Sequence, residues 1–294
     1  GAESARAFAS GMGAFSTVVL GICSSGDHVV AQRQRYAGTQ IFLQTVCPRM
    51  GIDVTFVDGT MPGAFAEAVV PGRTKLVFAE TPANPRLDLV DLDDLGAIAN
   101  ALTVVDSTFA TPLGQRPLDH GVDLVLHSAT KGIAGSNDAT LGVIAGSEDL
   151  ISWLWGFAVL QGANASPYDA YNAHRGVRTL GARLRQQSET SLVLAEFLEG
   201  HSKVLGVRHP GLASHPQHDL AVRQMRSMGG QLTFDLAGGV DAGRRFVEAT
   251  SIARQATSLG GPETLVCHSA TTTHVKLTPE ELEASGIGEG TVRV

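Results

Sequence analysis

The sequence is poor in charged residues. Lys, Arg, Asp and Glu make up 17% of its 294 residues, whereas soluble domains usually carry about 25%. The balance is acidic, with 22 basic against 29 acidic side chains and a formal net charge of −7. A nucleic-acid-binding protein needs a basic face, so this balance argues against that class. Apolar residues make up 43% of the chain, which excludes disorder as a general description.

Cysteine is scarce as well. The three cysteines, Cys23, Cys47 and Cys267, are odd in number and form no CxxC pair. A long chain with so few cysteines is not built on a disulfide framework, and it is typical of a reducing compartment. We therefore predict a cytoplasmic protein.

The sequence also lacks a long hydrophobic run and a metal-binding motif. Its most apolar stretch, residues 150–160, is interrupted by Ser152 and Gly156 and is shorter than the about 20 residues that cross a bilayer. The ten histidines show no HExxH spacing. His215 and His218 lie in a predicted loop without a third ligand, so we interpret them as surface histidines and predict no metal site.

Short apolar runs alternate with helical patterns over the first half of the chain. This alternation predicts an α/β fold whose mostly parallel sheet is covered on both faces. The predicted strands are His28–Ala31, Asp53–Asp58, Lys75–Thr81, Leu102–Asp106 and Asp123–His127. The predicted helices are Gly11–Leu20, Thr39–Arg49, Ala64–Val69 and Leu92–Asn100.

The pattern changes after residue 178. One long helix is predicted from Arg178 to Gly200. It separates a large domain (residues 1–178) from a smaller C-terminal α+β domain (201–294), with residues 179–200 as the connection. Within the smaller domain we predict strands 231–236 and 264–268, a helix over 242–249, and a helix capped by Thr278 with Glu281 three residues on.

Polar residues follow two of the predicted strands. Ser128-Ala-Thr130-Lys131 comes directly after the strand that ends at His127, and Asp106 ends the strand before it. The carboxyl edge of a parallel sheet is where α/β folds place ligands. Each segment alone is equally typical of an ordinary turn. Together they place two hydroxyls, an amine and a carboxylate at one edge.

A third segment is rich in small residues. Ser10-Gly11-Met12-Gly13 opens a predicted helix, where free amides and the helix dipole bind phosphate. Close helix packing would explain the same residues. No P-loop and no dinucleotide fingerprint occurs. An amine for an imine, an acid for a pyridinium nitrogen and donors for a phosphate together match one cofactor, pyridoxal 5′-phosphate (PLP).

The sequence resembles the Cys/Met metabolism, or trans-sulfuration, family of PLP-dependent enzymes over nearly its whole length. The resemblance implies a fold type I large domain and a smaller C-terminal domain. The motifs that carry it are AFASGMGAF (7–15), YAGT (36–39), ETPANP (80–85), VVDSTFATP (104–112), HSATK (127–131), RGVRTL (175–180), SLGGPETL (258–265) and GTVRV (290–294).

The resemblance assigns roles to the matching residues. Lys131 would form the imine with the cofactor and then shuttle protons, and Asp106 would pair with the pyridinium nitrogen. Tyr36 would stack on the ring and assist proton transfer. The remaining implied contacts are the phosphate with Gly11, Met12, Ser128 and Thr130, the phenolic oxygen with Asn84, and the substrate carboxylate with Arg293 and Ser258. Glu80 has no assigned role.

The implied activity is γ-elimination from a sulfur amino acid, methionine or cystathionine, giving 2-oxobutyrate, ammonia and a thiol. A γ-replacement synthase, of the cystathionine γ-synthase or O-acylhomoserine sulfhydrylase type, would use the same residues, so both hypotheses stay open. The family also implies a homotetramer of two active-site dimers. A serine acyl-enzyme, from the spacing of Ser128 and Lys131, and a non-catalytic homologue are further alternatives.

The sequence departs from the family pattern at four places. Gly132 replaces an aromatic residue after the lysine, and Ser136 stands in a Gly-Ser-Asn-Asp segment where histidine is usual. Gly38 stands where methionine γ-lyases often carry cysteine, while Thr257 favours neither activity. The fourth departure is that no segment here matches the family's N-terminal arm, which reaches the phosphate of a neighbouring subunit. We expect this arm and a short C-terminal end to belong to a longer protein.

Overall fold

A seven-stranded sheet forms the centre of the larger part of the molecule. The computed structural model describes residues 1–275, 278, 282 and 285–294. The strand order is β1-β7-β6-β5-β4-β2-β3. Strands β2 to β6 are parallel to one another. At one side of the sheet, β7 runs antiparallel to both of its neighbours, β6 and β1. The strands are β1 (Ser4–Phe8), β2 (His28–Gln32), β3 (Asp53–Val57), β4 (Thr74–Glu80), β5 (Leu102–Asp106), β6 (Leu124–Ser128) and β7 (Gly142–Gly146).

Helices cover both faces of this sheet. The first eight helices of the described chain are α1 (Gly11–Ile22), α2 (Ala37–Arg49), α3 (Ala64–Ala68), α4 (Leu92–Gly96), α5 (Thr111–Gly114), α6 (Glu148–Gln161), α7 (Pro167–Val177) and α8 (Leu180–Glu199). Helix α1 packs in the main core, where Phe15 lies edge-on to Phe78 of β4 at 4.8 Å between ring centroids. A second core on the opposite face is built around Val30, Val77 and Val105. Strands buried on both faces explain the continuous apolar runs.

A second, five-stranded sheet follows the long helix α8. Its strand order is β10-β11-β12-β9-β8. The elements are β8 (Val204–Arg208), α9 (His218–Gln224), β9 (Thr233–Leu236), α10 (Gly239–Ala249), β10 (Arg254–Gln255), β11 (Leu265–His268) and β12 (Thr291–Arg293). Their core surrounds Phe234. These bounds support the division at residues 178 and 200, which stays a prediction.

The α/β class and the mostly parallel sheet are confirmed, and all five predicted strands of the first half are present within two residues of their predicted ends. Strands β1 and β7 were not predicted. Strand β1 contains two alanines and β7 two glycines and an alanine, so their side chains carry little of the hydrophobic pattern that identifies a strand. The sheet therefore gains an antiparallel edge.

Three further predictions from the sequence can be compared with the structure. The helix predicted over 92–100 ends at Gly96, where a Cβ would lie 1.9 Å from the carbonyl oxygen of His120. His215 was predicted at the surface, and this is wrong, because it is buried with 3% of its surface exposed. The capped helix from Thr278 lies mostly outside the described residues, because Glu281 is not among them.

No helix of the described residues is long and apolar enough to span a membrane. Within the same residues, no group of His, Cys, Asp and Glu is arranged to hold a metal ion.

Candidate active site

A cavity of about 480 Å³ lies at the carboxyl edge of β4, β5 and β6. The ends of these strands meet the first turn of α1, the start of α2 and three segments of the C-terminal part there. Parallel strands place their carboxyl ends at one edge, and ligands of α/β folds bind there. Nine of the ten predicted site residues line this cavity: Gly11, Met12, Tyr36, Asn84, Asp106, Ser128, Thr130, Lys131 and Arg293.

Lys131 lies three residues after the end of β6, and its amine points at the C-terminal part of the chain. The Nζ atom donates a hydrogen bond to Ser258 Oγ over 3.1 Å. Through this bond Ser258, the tenth predicted residue, reaches the site. Burial lowers the pKa of Lys131, and the positive charge of Arg293 lowers it further. A lysine with a lowered pKa has more of the neutral amine that attacks a carbonyl or takes up a proton.

Two acids lie side by side at this edge. Strands β4 and β5 are in register so that Glu80 pairs with Asp106. Asp106 Oδ1 accepts the backbone N–H of Thr108 at 2.9 Å and its hydroxyl at 2.5 Å. Burial raises the pKa of Asp106, and burial together with the neighbouring Asp106 raises that of Glu80. A cationic ring nitrogen beside Asp106 would restore its ionised form.

The start of α1 forms a narrow cradle against the end of β6. Ser10 caps the helix, and its Oγ accepts the N–H of Gly13 at 2.9 Å. The first backbone bond within the helix comes from Ala14, so the amides of Gly11 and Met12 precede it. A Cβ at residue 11 would lie 2.8 Å from the Cβ of Ser128. Only glycine permits this approach, and directed amides at a helix start suit a phosphate.

The hydroxyl of Thr130 lies in the cavity wall but is bonded to the neighbouring backbone. Its Oγ1 accepts the N–H of Leu141 at 2.9 Å and donates to the carbonyl of Leu141 at 3.2 Å. Thr108, which was not predicted from the sequence, connects two residues of the site. Its hydroxyl bonds Asp106 and accepts the N–H of Ser128 at 2.8 Å. The signal was available, because Thr108 belongs to the segment VVDSTFATP.

Tyr36 stands at the mouth of the cavity immediately before α2, with 45% of its surface exposed. Its ring lies over Gly38. A Cβ at position 38 would come within 2.4 Å of Tyr36 Cε1. Gly38, which stands where methionine γ-lyases often carry cysteine, therefore leaves room for this ring placement.

Arg293 is buried and held in a fixed orientation. Its Nη1 donates to Asn84 Oδ1 at 3.0 Å, and its Nη2 donates to the carbonyls of Thr257 at 2.6 Å and Ser258 at 3.0 Å. The structure thus brings together Asn84, which was predicted to bind the phenolic oxygen of the cofactor, and Arg293, which was predicted to bind the substrate carboxylate. A guanidinium fixed in this way presents its positive charge to the cavity in a set orientation, which suits an anion.

His274 also lines the cavity, and the sequence reasoning missed it. The ring is buried, its Nδ1 lies 2.8 Å from Thr273 Oγ1, and its Nε2 has no hydrogen-bond partner among the described residues. Burial, with Arg293 as a second cause, lowers the pKa of His274 to about 4. The neutral imidazole therefore adds no charge to the site at neutral pH.

The loop after Lys131 is firmly tied despite its unusual sequence. Arg183 of α8 donates to the carbonyls of Gly132 at 2.8 Å and Gly176 at 2.9 Å. At Gly260, where φ is +78°, a Cβ would lie 2.4 Å from the nitrogen of Gly132. Asn137 further along donates to Glu263 Oε2 at 2.8 Å. The departures at 132 and 136 thus lie in an ordered loop.

These features fit PLP. A half-buried amine with a lowered pKa, a carboxyl with a raised pKa, and a glycine cradle at a helix start lie around one cavity of sufficient size. Ser128 and Lys131 have the Ser-x-x-Lys spacing of a serine acyl-enzyme but not its structural context, because Ser128 ends a strand and does not open a helix.

The comparisons with known proteins agree with the site. The L-methionine γ-lyase of Porphyromonas gingivalis is 42% identical over 300 residues, which cover 100% of this chain and 75% of that protein. The O-succinylhomoserine sulfhydrylase of Pseudomonas aeruginosa is 41% identical, over 100% of this chain and 73% of its own length.

A solved structure shares the fold. The cystathionine γ-synthase of Xanthomonas oryzae pv. oryzae, in complex with aminoacrylate and cysteine, superposes with a TM-score of 0.94 at 38% identity, covering 99% of this chain and 76% of that one. The family model described as Cys/Met metabolism PLP-dependent enzyme matches residues 1–294. The chain therefore belongs to the Cys/Met metabolism family of PLP-dependent enzymes, with the fold type I architecture and the carbon–sulfur chemistry of the trans-sulfuration group.

Proposed function

We propose that this protein is a γ-lyase that converts methionine and water into 2-oxobutyrate, ammonia and methanethiol. The observation that carries this proposal is the position of the Lys131 amine. It lies 3.1 Å from Ser258 Oγ, and the carbonyl of Ser258 is bonded to Arg293. A proton carrier thus stands next to the guanidinium that would hold the substrate carboxylate.

The residues around the cavity would hold the cofactor as their chemistry suggests. Asp106 would bind the ring nitrogen and Asn84 the phenolic oxygen. The amides of Gly11 and Met12, with the hydroxyl of Ser128, would bind the phosphate. The hydroxyl of Thr130 would join them once its hydrogen turns away from the carbonyl of Leu141. When bound, PLP supplies an electron sink for negative charge at the substrate's Cα.

Proton movements fall to two side chains. Lys131, the group that would also carry the cofactor, would take the proton from the substrate's Cα, because burial and Arg293 lower its pKa. Tyr36 at the cavity mouth would assist proton transfer at the other side of the substrate. Arg293 and Ser258 would fix the carboxylate and so the orientation of the Cα–H bond.

The charge inventory of the cavity favours an uncharged thioether as substrate. Among the described lining residues, the charged side chains are Lys131, Arg293, Glu80 and Asp106. The proposed roles engage Lys131, Arg293 and Asp106, and Glu80 is buried beneath Tyr36, bonded to its backbone. This leaves no described charge for the second amino-acid end of cystathionine. The rest of the lining includes Phe15, Ile41, Phe109 and Leu259, which suit a methylthio group.

The second candidate is a γ-replacement synthase that joins an O-acylhomoserine to a thiol. The observation in its favour is that the Pseudomonas sulfhydrylase is as similar to this chain as the lyases, at 41% against 42% identity. The Xanthomonas structure with its TM-score of 0.94 is likewise named a synthase.

The deciding experiment incubates the PLP-loaded protein with methionine, cystathionine and O-succinylhomoserine, each alone and then with a thiol. We expect 2-oxobutyrate from methionine alone, at a higher kcat/KM than from cystathionine. If negligible oxo acid forms without a thiol, and a thioether forms from O-succinylhomoserine and a thiol, the protein is a synthase and not a lyase.

The proposal extends to assembly and compartment. A homotetramer of two active-site dimers would cover the half-exposed ring of Tyr36 at the cavity mouth. A cytoplasmic location suits the three cysteines, which are free and buried. Sedimentation of the native protein and cell fractionation test these two points.

A further inference from the structure

One carboxyl group joins two segments of the active site. Glu80 ends β4 and is buried, with 4% of its surface exposed. Its Oε2 accepts the backbone N–H of Tyr36 at 2.7 Å, and its Oε1 accepts the backbone N–H of Asn84 at 2.8 Å. Tyr36 precedes it by 44 residues, so the carboxyl ties the start of α2 to the segment after β4.

The carboxyl is itself held in place. The N–H of Glu80 donates to Gln32 Oε1 at 2.8 Å, and the carbonyl of Gln32 accepts a bond from the buried guanidinium of Arg35. The guanidinium of Arg35 lies 4.2 Å from the centroid of the Phe56 ring. Its positive charge opposes the rise in the pKa of Glu80 that burial and Asp106 cause. The acid is therefore fixed by its strand, by Gln32 and by a nearby cation.

The two residues that Glu80 holds face the cavity from different sides. Tyr36 and Asn84 both line it, and the Asn84 side chain bonds Arg293 at 3.0 Å. We propose that Glu80 is a positioning residue, whose two carboxylate oxygens set the backbone of Tyr36 and Asn84 and thereby the placement of the tyrosine ring and the asparagine amide against the cofactor. This inference rests on the proposed function of the site.

The chemistry of the carboxyl suits this role. Both oxygens accept a backbone N–H, which is the arrangement of a group that fixes backbone. An amide at this position accepts one of the two N–H groups and turns its own NH₂ toward the other. Glu80→Gln therefore leaves one buried N–H unpaired with almost no change in volume, and one of the two segments is released.

The experiment measures the Kd for PLP and the melting temperature of Glu80→Gln. Asp123→Asn is the matched control, because Asp123 accepts the N–H and the hydroxyl of Thr103 at 2.8 and 2.9 Å at the opposite edge of the same sheet. We expect about tenfold weaker PLP binding or more in Glu80→Gln. In Asp123→Asn the Kd for PLP stays within about twofold of the native value, because the retained amide oxygen still accepts both donors of Thr103.

A double-mutant cycle separates positioning from a general loss of structure. Tyr36→Phe keeps the backbone N–H but removes the hydroxyl that Glu80 is proposed to place. We expect Glu80→Gln to lower kcat at least about tenfold in the native background and by less than about threefold in Tyr36→Phe. Equal effects in both backgrounds, or a PLP Kd of Glu80→Gln equal to that of the native protein, would overturn the inference.

These experiments distinguish failure of the positioning role of Glu80 from failure of the proposed function. If the native protein binds no PLP and forms no oxo acid, the proposed function fails first. If it does both and Glu80→Gln matches it, only the positioning role is lost. Should Glu80→Gln not fold, Glu80→Asp carries the same expectation, because it keeps both oxygens but brings them one methylene short of the two N–H groups.

Discussion

At the scale of single residues, the site depends on groups whose charge is set by burial. Burial and the charge of Arg293 lower the pKa of Lys131, and burial raises the pKa of Asp106. The sequence predicted the identity of Lys131 and Asp106, because both stand at the ends of apolar strands. The sequence did not predict the places of Thr108, Glu80 and His274 in the site, since these depend on backbone bonds and on packing between distant segments.

Gly38 yields a prediction at this scale. Gly38→Ala pushes the Tyr36 ring away, because the new Cβ would meet Cε1 at 2.4 Å. Alanine also stabilises a helix by up to about 1 kcal/mol relative to glycine. We expect an unchanged or higher melting temperature together with a kcat several-fold lower.

Gly156→Ala provides the matched control for Gly38→Ala. Gly156 lies in α6 with nothing within 4 Å of the position of its Cβ. It is expected to raise the melting temperature and leave kcat unchanged. A Gly38→Ala enzyme as active as the native one would show that the ring placement over Gly38 is not required.

At the scale of elements, the long helix α8 supports the loop that carries Lys131. The sequence predicted this helix almost to the residue, from its hydrophobic period and Gly200. It did not predict that Arg183 on this helix reaches the carbonyls of Gly132 and Gly176, since such contacts depend on how helix and loop pack. The helix therefore does more than connect two sheets.

Arg183→Met tests this support. The change removes donors from buried carbonyls, at a cost of about 1 to 3 kcal/mol. We expect a melting temperature several degrees lower, a weaker affinity for PLP, and faster proteolysis of the loop at 132–138. Arg185→Met, at an exposed position of the same helix, is the control and should change none of these. Equal behaviour of the two variants would contradict the support by α8.

At the scale of the whole molecule, buried neutral histidines make stability depend on pH. Burial lowers the pKa of His127, His209, His215 and His274 to about 4 from 6.5. Between these values the unfolded chain binds protons that the folded chain does not, so folded stability falls as the pH is lowered from 6.5 toward 4. Glu80 and Asp106, with raised pKa values, act in the opposite direction, so a single-residue comparison is needed.

His209 is the buried histidine whose effect on stability is best suited to a test. Its Nδ1 accepts the N–H of Gly211 at 3.0 Å, and its Nε2 lies 3.0 Å from Ser191 Oγ, so protonation at Nδ1 would oppose a donor. We expect His209→Asn to reduce the slope of unfolding free energy against pH, between pH 4 and 6.5, by up to about 1.4 kcal/mol per pH unit. Urea denaturation at several pH values measures it.

Ser191→Ala is the control for His209→Asn. It removes the hydroxyl partner but keeps the titrating ring, so stability falls at every pH and the slope is retained. A His209→Asn protein with the native slope would mean that His209 is protonated equally in the folded and unfolded chains.

The most direct test of the account locates the cofactor on the chain. The sequence has only four lysines, Lys75, Lys131, Lys203 and Lys276. The PLP-loaded protein is reduced with borohydride, digested and analysed by mass spectrometry. We expect the phosphopyridoxyl group on Lys131 alone, with loss of 2-oxobutyrate formation from methionine in proportion to labelling. A label on another lysine, or full activity after labelling of Lys131, would contradict it.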